Sequence, residues 1–174
     1  QATSALREAL IDPGKTDAFR LVHGEGDGFP HVTVDRLGEW LYAEDFSPAG
    51  MSDEALLAAL PFARGARGLV ASRAGEGPRR ETKRPVCGET PPAELVVREG
   101  GLKFLLRPLE PGGVGLFFDQ RGNRRRLGAL ADGGNVLNLF AYTCAFSVAA
   151  AAGGAAETVS VDASRRSLEW GREN

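Results

Sequence analysis

The chain has 174 residues, with 43% hydrophobic and 25% charged residues and a formal net charge of −2, the profile of a soluble globular protein and not of a disordered one. That charge excludes a global positive field advertising nucleic acid, although local basic patches remain open. Two cysteines, Cys87 and Cys144, and two histidines, His23 and His31, exclude a disulfide scaffold and a Cys/His zinc site, and no apolar run reaches the ~18 residues of a membrane span.

The first residues carry no signal-peptide pattern. Gln1 is read as an internal start, and the expected location is cytoplasmic, with no membrane partner. Residues 2–11 have helical spacing, and Asp12-Pro13-Gly14 stops the helix. In "FRLVHGEGDGFPHVTVDRLGEWLYAEDF" strands alternate with turns. Phe19, Leu21 and His23 are set on one strand face, "EGDGFP" is a turn, and "DRLGE" is a hairpin turn before Trp40 and Tyr42. Glu25 and Asp27 have no basic partner near in sequence, so turn chemistry accounts for them. "SDEALLAALPFA" opens on a Ser or Asp cap and presents Leu56, Leu57 and Leu60 as an apolar face. "RGLVASR" is a short strand. Residues 74–93, rich in Gly, Pro and charge, read as a long loop, and "RRETKR" within it reads more as a charged surface than as an RNA contact. "ELVVREGGLKFLLRP" is a hairpin turning at Gly100-Gly101.

The composition changes after Pro111. A helix is expected from about Gln120 to Leu130, ending at Gly133-Gly134. Val136, Leu137, Leu139 and Phe140 then form a near-continuous apolar strand, as a parallel strand buried on both faces requires. Thr143 is expected to cap the Ala-rich helix starting near Cys144, "TVSVD" is the next strand, and Ser164 caps a further helix. This is a βαβ unit. Backbone N–H groups at its helix start favour an anionic group, and Asp162 stands at roughly the ~20-residue spacing at which an acid meets a ribose diol. The turn Ala141-Tyr142-Thr143-Cys144-Ala145 lacks the glycines that let a pyrophosphate approach. A ligand with ribose and adenine but no phosphate at that spot, such as S-adenosylmethionine, fits it better than a dinucleotide. A nucleotide-free structural βαβ stays open at this point. Cys144 is rejected as a nucleophile, because at the start of this helix its sulfur faces cofactor or sheet.

"GLFFDQRGNRRRL", "VLNLFAYTCAFSVAAAAGGA", "VSVDASRRSLEWGREN" and "FRLVHGEGDGFPHVTVDR" together resemble the RlmI/RlmK-like family of class I S-adenosylmethionine-dependent methyltransferases of 23S ribosomal RNA, from about Phe19 to Asn174. The resemblance implies an α/β and α+β protein: a helix or linker over 1–15, a small mixed α+β central domain over 16–110, and the first part of a Rossmann-like class I methyltransferase fold over 111–174. By motif position it implies S-adenosylmethionine contacts from Asn138, Phe140, Ala141, Tyr142 and Thr143. It sets Asp162 on the ribose, Ala163 and Ser164 beside the adenine, and Asp119, Gln120 and Arg121 near the methionine end. Cys144-Ala145 stands where many members have Gly-Gly, which leans toward the guanine-N7 branch over the cytosine-C5 branch. Many members also have Pro-Gly where this chain has Pro30-His31.

"RGNRRR" sets Arg121, Arg124 and Arg125 on one helical face. Arg121 is assigned to the cofactor carboxylate, Arg124 and Arg125 to phosphates of 23S ribosomal RNA, and Arg126 to solvent. The family's RNA-binding PUA domain is expected before Gln1, and its catalytic residues after Asn174, so residues 1–174 alone are expected to be inactive. A bare sheet edge makes self-pairing into a homodimer an expectation too. The rival functions are a nicotinamide-dependent oxidoreductase and an RNA-binding module without catalysis.

Overall fold

The computed structural model describes residues 2–48, 50–60, 65–74 and 81–174. Five strands, β1 (Ala18–His23), β2 (Val32–Leu37), β3 (Trp40–Asp45), β4 (Gly68–Ala74) and β5 (Glu81–Gly88), form one sheet in that order. All pairs are antiparallel except β3 with β4, which run parallel. The β3–β4 crossover carries helix α2 (Asp53–Ala59). Ser52 caps it, accepting the Ala55 N–H at 3.2 Å, and Leu56 and Leu60 are fully buried against Leu21, Val34, Leu41 and Leu69 on the first sheet face.

Helix α1 (Ala2–Ala9) precedes the sheet and is tied to it by Arg7, which donates to Asp27 and to Leu21 O. Asp27 is therefore more than a turn residue: its cation comes from a helix twenty positions earlier. A bulge between Arg20 and Val22 breaks the alternation of β1, so Val22 is buried and His23 faces solvent instead of sharing the face of Phe19 and Leu21.

Within the expected loop over 74–93 the structure has a strand, β5. The ladder offered by β4 and the packing of Val86 and Cys87 on the core outweigh the Pro and charge content. Pro85 is tolerated because β5 is an edge strand and the register shifts beside Val70. Arg79 and Arg80 of "RRETKR" lie outside the described residues.

The hairpin β6 (Leu95–Glu99) and β7 (Leu102–Leu106) covers part of the second sheet face. Here Val97, Phe104 and Leu106 pack with Ala18, Leu37, Tyr42 and Val70 of the large sheet, and also with Val114, Leu116, Phe118 and Ala145. One core thus runs across residue 110. Beyond it come a 3-10 turn (Phe118–Gln120), α3 (Arg121–Leu130), β8 (Asn135–Leu139), α4 (Ala145–Ala152), β9 (Glu157–Val161) and α5 (Arg165–Gly171). Strands β8 and β9 are parallel, with Asn138 opposite Ser160. Small residues let α3 and α4 touch, Gly128 against Gly153.

The expectation that β8 is buried on both faces is not met. Only alternate residues are covered, by α4, while Leu137 and Leu139 of β8 and Val159 and Val161 of β9 are 45–63% exposed. Among the described residues nothing packs on that face.

Candidate cofactor site at the end of the parallel strands

The turn between β8 and α4 is a left-handed staircase. Phe140, Tyr142 and Cys144 have φ of 56°, 48° and 60°, and none is glycine. Each such residue costs on the order of 1 kcal/mol or more, so the surroundings must hold it there. They do so through hydrogen bonds. Ala141 N–H donates to Val161 O (3.0 Å), Cys144 N–H to Ala141 O (2.8 Å), and Tyr142 N–H to Asp162 Oδ2 (2.8 Å). Asp162 Oδ1 accepts the Ser164 N–H at 2.8 Å. Asp162 thereby clamps the end of β9 onto the turn. The backbone N–H groups of Ser164 and Tyr142 hold its carboxyl below the usual range, so it is an anion at neutral pH. A carboxylate accepts about four hydrogen bonds, and the two taken by the backbone leave acceptor capacity toward solvent.

Thr143 does not cap α4. Cys144 occupies the cap position with no side-chain hydrogen bond to the helix start, and the Thr143 hydroxyl donates to Gly115 O instead, fixing the turn to the segment before the 3-10 turn. Cys144 is buried, and its Sγ fills the space where a Cβ on Gly171 would sit, so packing explains this cysteine. Ser164 does cap α5, accepting the Ser167 N–H at 3.2 Å. Ala163 is exposed beside it.

Asn138 lies on the covered side of β8. Its amide donates to Ser147 Oγ (3.0 Å), which in turn meets Ser160 Oγ at 2.7 Å. This three-membered polar link joins β8, α4 and β9 and aligns the turn from beneath. The Phe140 side chain is 92% exposed. The Tyr142 ring packs on Phe117 (5.2 Å between centroids) and nears Trp170 (6.2 Å), while its hydroxyl donates to Gly112 O at 3.1 Å. Gln120 donates to Asp119 at 2.7 Å and accepts from Asn123 at 2.8 Å, and Asp119 itself is exposed.

The four arginines of α3 separate. Arg124 is buried and makes a two-pronged ion pair with Glu99 at 2.7 and 2.7 Å. It is not available to RNA phosphates, which corrects the assignment made from helical spacing: a guanidinium with both prongs on a buried carboxylate is a structural tie between α3 and the β6–β7 hairpin. Arg125 and Arg126 are exposed. Arg121 and Arg125 share with Lys15, Thr16, Leu102 and Gly128 the lining of a groove of about 580 Å³. The Nη1 atom of Arg121 is buried with no hydrogen-bond partner among the described residues.

Comparison with known proteins follows this geometry. A family model described as S-adenosylmethionine-dependent methyltransferase matches residues 77–174. Ribosomal RNA large subunit methyltransferase I of Escherichia coli (strain K12) is 36% identical over 180 residues, an alignment spanning 100% of this chain and 45% of that protein. A proposed SAM-dependent methyltransferase from Streptococcus mutans is 30% identical with a TM-score of 0.87, covering 99% of this chain and 45% of that one. A methyltransferase structure complexed with SAH has the same figures. The SAM-dependent methyltransferase of Agrobacterium tumefaciens, at 23% identity and TM-score 0.63 over 93% of this chain and 49% of its own, shares the fold. The chain spans a little under half the length of the relatives it matches.

Proposed function

The chain belongs to the S-adenosylmethionine-dependent methyltransferase family, whose model covers more than half of it, and from that footing we propose that it serves methyl transfer from S-adenosylmethionine to a base of 23S ribosomal RNA in the cytoplasm. The observation that carries this reading is the glycine-free turn Phe140–Cys144 held by the anionic Asp162. Such a turn takes a ribose diol on the acid but leaves no bare backbone for a pyrophosphate. The likeness to a structure complexed with SAH supports it, and the likeness to a large-subunit ribosomal RNA methyltransferase supports the substrate.

In this reading Asp162 accepts from the ribose hydroxyls, and Ala163 and Ser164 flank the adenine. The Asn138–Ser147–Ser160 link holds Ala141, Tyr142 and Thr143 in register beside the cofactor, with Phe140 over it. Asp119 and Gln120, locked together at 2.7 Å, face the methionine end with Arg121. Bound S-adenosylmethionine supplies an electrophilic methyl group, so what the chain contributes is placement and exclusion of water. Arg125 and Lys15, on the rim of the 580 Å³ groove, bind RNA phosphates; Arg124 has no part in this.

Calorimetric titration with S-adenosylhomocysteine and with NAD tests the reading. Saturable binding of the first and none of the second is expected, and the reverse result assigns the site to a nicotinamide cofactor. Transfer of a labelled methyl group to 23S RNA by the full-length protein tests the substrate, and binding of that RNA without transfer favours an RNA-binding module.

A further inference from the structure

The groove of about 580 Å³ is walled by elements from distant parts of the chain. The turn after α1 forms one wall, in which the Lys15 and Thr16 N–H groups donate to Asp12 O at 3.0 and 2.9 Å. This turn is fastened to the tip of the β6–β7 hairpin, where Gly100 N–H donates to Thr16 Oγ1 (2.9 Å) and Gly101 N–H to Lys15 O (2.8 Å). The hairpin is tied in turn to α3 by the buried Glu99–Arg124 pair. Residues 121, 122, 124, 125 and 128 bring one face of α3 to the groove, and Gly128 against Gly153 closes the floor between α3 and α4. Every wall is hydrogen-bonded or packed in place, so the groove is preformed.

Its charge is one-sided. Glu99 and Arg124 satisfy each other, so Lys15, Arg121 and Arg125 are set against Asp12 among the described lining residues, and Asp12 Oδ1 already accepts the Gly14 N–H at 2.9 Å. Arg121 adds a specific demand. It also lines an adjoining cavity of about 160 Å³ with Arg7 and Arg20. Those two have carboxylates, Asp27 and Asp35, whereas the buried Nη1 of Arg121 has no hydrogen-bond partner among the described residues. A guanidinium has five donors, so a role at the methionine end of the cofactor leaves this one to be met. A buried donor without an acceptor is costly, and phosphate oxygens match the guanidinium fork closely.

We infer that a sugar–phosphate stretch of the RNA strand lies in this groove, with one phosphate on Arg121 and its neighbours on Lys15 and Arg125. The inference rests on the RNA methylation proposed above, and it turns the rim charges of that reading into a track with a floor. The volume suits a nucleotide more than a lone ion. None of the described lining residues is aromatic, so bases find no stacking platform there. The floor of Leu102, Ala149, Ala152 and the glycines takes the sugar. The groove therefore positions the strand and leaves sequence to other contacts.

The test fills the groove without touching its charge. Gly122 lines it within α3, and a Cβ there meets nothing within 4 Å. Gly122→Trp therefore obstructs the groove, Gly122→Ala leaves it open, and Ala152→Trp fills it from α4. The full-length variants are titrated with a 23S RNA transcript over a range of salt, and thermal midpoints within a few degrees of wild type show that each folds. Each Trp variant is expected to weaken RNA binding about tenfold and to lower the salt slope by about 0.7 for every phosphate no longer held. Affinity for S-adenosylhomocysteine should change less than about threefold, and Gly122→Ala should bind RNA as wild type does. Lys15→Ala should cost the wild type about threefold and cost Gly122→Trp nothing more. Trp variants that bind and methylate RNA as wild type does overturn the inference and leave the proposed function intact. A Lys15→Ala loss undiminished in Gly122→Trp overturns it too, since the charge then acts from outside the groove. Inorganic phosphate that binds wild type but not Gly122→Trp, with RNA affinity equal in both, gives the groove to a small phosphate compound instead. A wild-type protein that neither binds nor methylates 23S RNA removes the proposed function, and this inference with it.

Discussion

At the scale of single residues, neighbouring arginines on one helix carry opposite meanings. Spacing sets Arg124 and Arg125 on one face, but the sequence cannot show that Glu99, on a hairpin far upstream, reaches back to bury one of them. Breaking a buried ion pair leaves an uncompensated charge, so Arg124→Met is expected to cost about 3–5 kcal/mol in urea denaturation. Arg125→Ala leaves that stability unchanged and reduces the salt dependence of RNA binding by about one counterion. Asp162, by contrast, was legible from its distance after the first strand, because a strand–helix–strand unit has little freedom in length. Its backbone clamp was not legible. A carboxyl held below its usual range contributes above the ordinary carboxylate pKa of ~3.9, and the contribution is lost as pH falls through the lowered value. Affinity for S-adenosylhomocysteine should therefore be flat from about pH 8 to about pH 5. Asp162→Asn, which turns an amide N–H toward a backbone N–H, should weaken it about tenfold by calorimetry.

At the scale of elements, the hairpins, α2 and the βαβ unit followed from alternation, caps and the Ala-rich run. Strand β5 did not, because its pairing energy comes from β4 and not from its own Pro- and charge-rich composition. The three left-handed residues of the turn were hidden too, since left-handed backbone is normally announced by glycine. The glycine this site needs lies elsewhere: Gly171 in α5 gives its Cβ space to Cys144 Sγ. Gly171→Ala should overpack that contact and lower stability by about 1–3 kcal/mol, read as a drop in thermal midpoint, despite the better helix propensity of alanine.

For the whole molecule, the change of composition at Pro111 is real, yet the core ignores it, because Val114, Leu116, Phe118 and Ala145 complete a face begun by Ala18 and Leu37. Burial partners that distant leave no local signature. The bare face of Leu137, Leu139, Val159 and Val161 is the other global feature. A polypeptide of residues 1–174 should self-associate through it, giving a mass by light scattering that rises with concentration, and Leu139→Lys with Val161→Lys should hold it monomeric. The shared core also sets a timetable for synthesis. Strands β1 to β3 leave the ribosome early, but their second face gains its last apolar partner only when α4 emerges. Nascent chains arrested before Ala145 should therefore be cut readily by protease within the central sheet, and chains arrested some tens of residues later should resist. The segment proposed to grip the methyl donor is thus also the one that closes the older half of the molecule during its birth.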